Sequence, residues 1–455
     1  MPCFGRDLCP LPAARKTGGS ALHSVAMTVP PAAPGTRLLV IAPQPFYEDR
    51  GTPIAVKHLL EALSELGRDV DLLTYPVGKT VELPGLRTFR VRNPLGFRSV
   101  PIGFSLRKLV LDAVLLPAIV DRLRRERYQA IHALEEAAFP AVLAARKRRV
   151  PVVYDMQSSL PEQLQEHRVF CAPVMQGALR GCERWLVRNS DLVLCSVGLQ
   201  THVLRHDPAA RVCEWIYPVR ETPLSSADVR AVREELEIDS SCRVVMYSGN
   251  FASYQGLPNL LAAVPDIVSR APNTRFVLVG ADETVHGLPP HAEELRQQGV
   301  LRVVGRQPRE RIPAYLQLAD VLVSPRGNGR NLPLKVFDYM AAGKPIVATD
   351  SPTHRRVLDC GRAHLVGTSP RDLADGITLV LGDPDRCRRL GIAARSYYDK
   401  HLAWMHFLRF VASLYGSGEA GQAFDAPQAE DALRGSDAQI IPKVGAGLAS
   451  SGLNP

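Results

Sequence analysis

Residues 320–350 of this 455-residue chain, DVLVSPRGNGRNLPLKVFDYMAAGKPIVATD, give the clearest indication of its fold. It contains an apolar run of strand length, a glycine-containing loop, a segment with helical spacing of apolar residues, and a second apolar run. Gly343, Lys344 and Pro345 are typical of a turn between a helix and the next strand. A strand, a helix and another strand in this order indicate a parallel βαβ unit.

The same alternation extends along the chain on both sides of this stretch. The runs RVVMYSGNF, TRFVLVGAD and VLRVVGRQP precede it and alternate with helical segments such as LPNLLAAVPDIVSRA. An earlier series begins with RLLVIAPQ (37–44), PIAVKHLLEALSELG (53–67) and DVDLLTYP (69–76), before the Pro-containing stretch YPVRETPLSS (217–226). The sequence therefore predicts an α/β fold of two tandem doubly wound, Rossmann-like domains.

The two series of elements also predict the domain boundaries. We expect a first domain over residues 37–217, a linker over 218–226 and a second domain over 227–401. An aromatic-rich apolar helix, LAWMHFLRFVASLYG, follows at 402–416. In open parallel sheets, ligands bind at the carboxyl ends of the strands, so two such domains facing each other form a cleft.

The two ends of the chain lack a sustained hydrophobic period. Residues 1–36 and 417–455 are rich in Pro, Gly, Ala and Ser, which predicts disorder in both. The first of them has no apolar run of the length found in a signal peptide. Met27 precedes the first predicted strand by ten residues and is an alternative start site.

The composition is that of a globular protein, with 46% hydrophobic, 22% charged and 6% aromatic residues. The nine cysteines form no CxxC pair, and none lies near a histidine at zinc-ligand spacing. We therefore expect no metal site and a reducing, cytoplasmic environment. No apolar window is long enough to predict a transmembrane helix. The first strand is not followed by GxGxxG, and GxxxxGKS or GxxxxGKT is also absent, which disfavours a nicotinamide enzyme and a P-loop nucleotidase.

The formal net charge of +9 is concentrated in the first half of the chain. Between Arg37 and Arg220 there are 26 Lys and Arg residues against 19 Asp and Glu residues. The segment SLRKLVLDAVLLPAIVDRLRRERYQ (105–129) has an apolar stripe with basic clusters at both ends, and ARKRR (145–149) adds four cations. These segments either contact an anionic membrane surface or are solvated helix faces. No nucleic-acid-binding module is recognisable, so we expect no nucleic-acid partner.

The order of these features resembles the retaining GT-B glycosyltransferases of family four, also called glycosyl transferases group 1, over about residues 37–415. Residues 320–350 match the donor-site signature of that family, in which seven residues separate two glutamates. Asp338 stands at the second position, and the resemblance implies that its carboxylate accepts hydrogen bonds from the donor ribose. Arg330 stands at the first position, which reverses the charge.

The segment VVMYSGNFASYQGLPNLLAAVPDIV (244–268) resembles the one that opens the nucleotide domain of the family. An arginine and a lysine there brace the donor diphosphate in the family. Asn250 and Gln255 stand at those two positions in this chain, so both charges are missing.

A diphosphate leaving group requires stabilisation by cations or by helix N-terminal amides. The loop that opens the donor-site helix carries Arg326 and Arg330, and Lys335 lies one turn inside the helix. We hypothesise that the cationic clamp has moved to this loop and helix. In the alternative interpretation, the two arginines are exposed loop charges.

The resemblance also implies an acceptor side in the first domain. Gly51 and Thr52 match a glycine-containing loop that approaches the substrates, although Thr52 and the following proline also suit the start of a helix. Gln157 stands where the family usually has a histidine after the second of two paired strands. Glu135, at the end of the preceding strand, could reach the same cleft, as could His132.

The resemblance implies a metal-independent enzyme that needs no cofactor. It would transfer a sugar, with retention, from a nucleotide-diphosphate donor to a hydroxyl acceptor, which in some relatives is lipid-linked, in glycan or polysaccharide biosynthesis. The catalytic residues stay unassigned, because no protein nucleophile is required when the departing phosphate helps to deprotonate the acceptor. The last helix would either cross back to the first domain, as is common in GT-B proteins, or be a plain C-terminal core helix. Two alternatives remain open, a non-catalytic GT-B protein that binds a nucleotide sugar or glycan and a nucleotide-sugar epimerase.

Overall fold

The computed structural model of the chain describes residues 37–48, 51–101, 105–164, 170–216, 218, 220–281, 289–327 and 332–415. The two terminal segments that were predicted to be disordered lie outside the described residues, and so does Arg330.

The first domain is built on a seven-stranded sheet in the order β3-β2-β1-β4-β5-β6-β7. Every pairing in this sheet is parallel. The strands are β1 (Arg37–Ala42), β2 (Val70–Thr74), β3 (Leu86–Arg90), β4 (Tyr128–Leu134), β5 (Val152–Met156), β6 (Leu192–Ser196) and β7 (Val212–Trp215). The helices are α1 (Gly51–Glu65), α2 (Leu106–Arg125), α3 (Ala138–Ala145), α4 (Leu160–Leu164), α5 (Pro173–Asn189) and α6 (Gln200–His206).

The second domain is built on a six-stranded parallel sheet in the order β10-β9-β8-β11-β12-β13. The strands are β8 (Arg243–Ser248), β9 (Thr274–Ala281), β10 (Leu301–Gly305), β11 (Val321–Ser324), β12 (Ile346–Thr349) and β13 (His364–Val366). The helices that follow the first domain are α7 (Ser226–Glu235), α8 (Leu257–Arg270), α9 (His291–Gln297), α10 (Ile312–Leu318), α11 (Lys335–Ala342), α12 (Pro370–Leu381), α13 (Pro384–His401) and α14 (Trp404–Tyr415).

Both sheets are covered by helices on their two faces, which explains the nearly continuous apolar runs of the strands. In β1, β5 and β11 every residue after the first is buried. Each sheet accordingly has two separate apolar cores, one on each face. The prediction of two doubly wound parallel α/β domains is confirmed.

The last helix, α14, packs on the first domain. Phe407, Val411 and Leu414 are buried in the same core as Leu38 of β1 and the apolar face of α1. At the end of the helix, the hydroxyl of Tyr415 lies 2.7 Å from a ring nitrogen of a buried histidine in β4. The polypeptide therefore passes from the second domain back to the first at its C-terminal end.

The segment between the domains is held by ion pairs on both sides. Arg220 contacts Glu65 of α1 at 2.6 Å, and its guanidinium lies 4.9 Å from the ring centroid of Trp404. The next residue, Glu221, accepts a 2.8 Å hydrogen bond from Arg395 of α13. The segment is thus tied to α1 and α14 on one side and to the second domain on the other.

Candidate active site

The loops that follow β8 and β11 touch each other at the carboxyl edge of the second sheet. Gly256 lies in the first of these loops with φ +76°, and a Cβ atom there would lie 2.1 Å from the carbonyl oxygen of Pro325. Any side chain at residue 256 would therefore push the two loops apart. These loops carry Asn250, Gln255 and Arg326, which were predicted to bind the donor.

Lys335 is the first residue of α11, and its side chain is buried between these loops. Its ammonium nitrogen donates a 2.8 Å hydrogen bond to Oε1 of Gln255. The same nitrogen lies 3.8 Å from the ring centroid of Tyr247, close enough for a cation–π interaction. A Cβ atom on Gly249 would lie 3.2 Å from it, so a side chain at this position would crowd the ammonium group.

The surroundings of the Lys335 side chain disfavour a positive charge on its amine. Burial lowers its pKa well below the usual range, and the nearby charge of Arg326 lowers it further. The guanidinium of Arg326 is itself half-buried, 5.1 Å from the ring centroid of Tyr254. Two partly desolvated cations that repel each other gain stability when an anion binds between them.

Asn250 belongs to the same polar cluster. Its side-chain oxygen accepts hydrogen bonds from Nε2 of Gln255 at 3.2 Å and from the backbone N–H of Ala252 at 3.3 Å. Its carbonyl oxygen accepts a 2.6 Å hydrogen bond from the hydroxyl of Tyr247. The structure thus brings together Asn250, Gln255 and Lys335, whereas Arg330 lies outside the described residues.

Asp338 makes a different set of contacts, although it lies in the first turn of the same helix. Both carboxylate oxygens accept hydrogen bonds from Arg309. Burial raises the pKa of Asp338, and the charge of Arg309 opposes that shift. Asp338 lines a cavity of about 340 Å³ between the domains, together with His58 of α1 and Arg220. The carboxylate predicted to bind the ribose is therefore already paired with an arginine.

On the side of the first domain, Gly51 and Thr52 form the first turn of α1. This placement agrees with the interpretation in which Thr52 and the following proline start a helix. Because α1 follows β1 along the chain, the N-terminus of the helix lies toward the carboxyl edge of the first sheet. Thr52 is partly exposed there.

Glu135 and Gln157 lie at the ends of the neighbouring strands β4 and β5, where the loops meet. Glu135 has φ +46°, an uncommon conformation for a residue other than glycine, and its side chain accepts a 3.1 Å hydrogen bond from Ser158. Burial and the adjacent charge of Glu136 raise the pKa of Glu135 well above its ordinary value. Gln157 donates a 2.5 Å hydrogen bond to Asp155. Glu135 and Gln157 thus lie at the same edge, at the ends of two paired strands.

A network of buried hydrogen bonds lies next to this edge of the sheet. Nε2 of His132 lies 3.2 Å from Asp155, and Nδ1 lies 2.7 Å from the hydroxyl of Tyr415 in α14. The indole N–H of Trp215 donates to the same carboxylate at 3.3 Å. The sequence predicted that His132 could reach the cleft, but in the structure its side chain is buried and contacts Asp155 and Tyr415.

The site also contains residues that the sequence analysis did not select. Arg309 precedes its partner Asp338 by 29 residues, and Tyr247 and Tyr254 flank the two cations. No sequence motif marks these three positions. Their roles follow from the packing of separate elements.

Comparison with known proteins identifies the family. Residues 228–397 match the family Glycosyl transferases group 1, and residues 50–213 match the Glycosyl transferase 4-like domain. The chain belongs to the group 1 glycosyltransferases. The resemblance to the group 1 glycosyltransferases is confirmed, and the protein is a transferase.

This glycosyltransferase is 26% identical over 404 residues to phosphatidyl-myo-inositol mannosyltransferase of Mycobacterium tuberculosis, covering 84% of the chain and 98% of the relative. Among solved structures, sucrose-phosphate synthase from Thermosynechococcus elongatus superimposes with a TM-score of 0.65 at 21% identity, covering 82% and 96% of the two chains. Alr3699/HepE of Anabaena in complex with UDP gives a TM-score of 0.61 at 18% identity, covering 83% and 98%. These structures share the GT-B fold with the glycosyltransferase.

Proposed function

We propose that this glycosyltransferase transfers a sugar from a nucleotide-diphosphate donor to a hydroxyl acceptor, with retention, in glycan or polysaccharide biosynthesis. The observation that carries the proposal is the position of Lys335 against Gln255. The family has a lysine at residue 255, and in this chain a lysine from α11 brings its ammonium group to the glutamine found there.

The donor diphosphate would lie between the loops after β8 and β11. Lys335 and Arg326 would provide the positive charge, and the N-terminal amides of α11 would add hydrogen-bond donors. Alr3699/HepE, which shares the fold, has been solved with UDP and with UDP-glucose. A buried ammonium group is a stronger electrostatic partner for a phosphate than an exposed one, because less water screens it. No metal ion or other cofactor is part of this proposal.

The acceptor would approach from the first domain. Glu135 can accept hydrogen bonds and Gln157 can both donate and accept them, as binding a sugar hydroxyl requires. In the proposed reaction, the bond from the anomeric carbon to the phosphate oxygen breaks. The departing phosphate takes the proton from the acceptor hydroxyl, and the acceptor oxygen bonds to the anomeric carbon on the same face. The protein then stabilises charge without acting as a nucleophile.

The test is a panel of UDP-, GDP-, dTDP- and ADP-sugars, with thermal shift to detect binding and nucleotide release to detect transfer. We expect one nucleotide class to stabilise the protein and to be released only when an acceptor is present. Variants Glu135→Ala and Gln157→Ala should lower transfer more than donor binding. Donor binding with no release across all acceptors would contradict the proposal and support a non-catalytic binding protein.

We further propose that the acceptor is lipid-linked and that the first domain contacts a membrane surface. Within the described residues, no helix is both long and apolar enough to cross a bilayer. Leu106 and Leu109 of α2 are exposed, with 76% and 48% of their surface accessible. The neighbouring helix α3 is followed by four exposed cations at 146–149. The relative from Mycobacterium tuberculosis is named for a phosphatidyl-myo-inositol acceptor.

The membrane contact can be tested by sedimentation with vesicles. The wild-type protein should sediment with vesicles that contain an anionic phospholipid, and binding should weaken with added salt. A variant with Leu106→Glu and Leu109→Glu should remain in the supernatant while keeping its donor affinity. Equal sedimentation of wild type and variant would contradict the contact through α2.

A further inference from the structure

Three side chains with metal-binding atoms converge between α5 and α6 of the first domain. They are Glu183 of α5 and His202 and His206 of α6, and one ligand atom from each lies within 4.8 Å of the other two. The carboxylate oxygen of Glu183 lies 2.5 Å from Nε2 of His202 and 2.7 Å from Nε2 of His206. The two Nε2 atoms are 3.3 Å apart.

The spacing of the two histidines suits coordination of one ion. Residues four apart share a helix face, so both imidazoles point the same way. In a tetrahedral site with bonds of about 2.0–2.1 Å, two ligand nitrogens are about 3.3 Å apart. The observed separation of 3.3 Å therefore already matches. The carboxylate oxygen would have to withdraw by about 0.6–0.9 Å to complete the site, which a rotation about the soft terminal torsion of Glu183 can provide.

The surroundings also have the features of a metal site. The carboxylate of Glu183 is fully buried, His206 is almost so, and His202 keeps 26% of its side chain exposed, which leaves a path from solvent. The second carboxylate oxygen of Glu183 accepts a 2.8 Å hydrogen bond from the backbone N–H of Leu160. Metal-binding carboxylates are typically oriented by such a second hydrogen bond.

We propose that Glu183, His202 and His206 bind one divalent transition-metal ion of the zinc type, with water in the remaining coordination position. Two imidazoles and one carboxylate are a ligand set that Zn²⁺ accepts, whereas Mg²⁺ and Ca²⁺ prefer oxygen ligands. This proposal departs from the sequence-based expectation of no metal site. It does not depend on the proposed transfer reaction.

The ion would have a structural role for the acceptor side. Leu160, whose N–H is held by Glu183, begins α4 three residues after Gln157. An ion that fixes Glu183 therefore also fixes the loop after β5, and it joins α5 to α6. The site is not part of the donor cluster around Lys335, which belongs to the second domain.

The experiment uses the full chain without a histidine tag, treated with a chelator and then freed of it. Zn²⁺ is titrated in competition with a chromogenic chelator, and the bound metal is counted by elemental analysis. We expect one Zn²⁺ per chain and a higher melting temperature in its presence. The variant His202→Gln should weaken Zn²⁺ binding by more than about 10–100-fold, the range found when only an outer-shell partner is lost.

Three controls make the result decisive. Cys182→Ser removes an exposed thiol next to Glu183 and should leave Zn²⁺ binding unchanged. His206→Gln should repeat the loss seen with His202→Gln, while circular dichroism shows that both variants are folded. Binding of Co²⁺ should give an absorption spectrum without thiolate-to-metal charge transfer. The proposal is overturned if the wild type binds no Zn²⁺, or if binding survives both histidine substitutions.

Discussion

Replacement of Lys335 by methionine is the sharpest test of the proposed donor site. Methionine keeps much of the volume of the buried side chain but cannot donate a hydrogen bond or carry a charge. In the structure the ammonium group contacts Gln255 at 2.8 Å and the ring of Tyr247 at 3.8 Å. The substitution therefore removes one buried cation and leaves its two neighbours in place.

The expected loss of affinity follows from the kind of contact. A hydrogen bond that involves a charged group contributes about 1.5–3 kcal/mol. Loss of one such bond to a donor phosphate corresponds to a Kd that is about 10- to 150-fold higher. We expect this increase for whichever nucleotide sugar binds best in the panel.

A second effect distinguishes Lys335 from an ordinary surface lysine. Because burial lowers the pKa of Lys335, the free protein holds this proton weakly, and a bound phosphate raises the pKa again. Donor binding should therefore take up protons, and affinity should fall as the pH rises. Isothermal titration calorimetry in buffers with different ionisation enthalpies measures this uptake.

Two further variants control for nonspecific effects. Lys400→Met removes an exposed cation from the same domain and should change neither the Kd nor the proton uptake. An exchange variant with Lys335→Gln and Gln255→Lys moves the charge to the position that the family uses and should recover most of the affinity. If Lys335→Met binds donors as tightly as wild type, with the same buffer-dependent heat, Lys335 does not bind the diphosphate.

Three other predictions concern stability. Burial raises the pKa of Asp112 to about 7, so protonation stabilises the fold at low pH and this contribution is lost as the pH rises from about 4 to 7. The free energy of unfolding of Asp112→Asn, measured with urea relative to wild type, should therefore rise by about 2–4 kcal/mol from pH 4 to pH 8. A difference between the two proteins that stays the same at both pH values would contradict the raised pKa. Arg309→Gln should cost about 3–5 kcal/mol because it leaves the carboxylate of Asp338 without its charge partner, and adding Asp338→Asn should restore most of the loss. Tyr415→Phe should cost about 1–3 kcal/mol, measured by thermal unfolding, because His132 loses a buried hydrogen bond.

The fold could be predicted because its signals are local. The strands are buried on both faces, so each one is an apolar run, and the helices between them show an apolar stripe. Gly343, predicted as a turn residue, ends α11 with φ +65°, where a Cβ atom on other residues would be strained. Such features need only the neighbouring residues in the chain.

The candidate site could be predicted only in part, because its contacts join distant residues. Position within the motif was enough to select Lys335 and Asp338. No sequence signal indicates that Arg309 pairs with Asp338, since that contact depends on how the segment before α10 packs on α11. Cysteine spacing does not indicate the cluster of Glu183, His202 and His206, whose carboxylate lies 19 residues before the first histidine.

The position of α14 after the second domain affects the order in which the protein folds during synthesis. Roughly 190 residues separate Trp215, at the end of the first sheet, from Trp404, where α14 begins. At a translation rate of about 5–20 residues per second, the first domain waits about 10–40 s for the helix that covers one face of its core. During this time, the apolar surface around Leu38 and α1 is exposed outside the ribosome. A premature stop codon anywhere in the second domain would therefore also leave the first domain incomplete, and we expect such fragments to depend on chaperones.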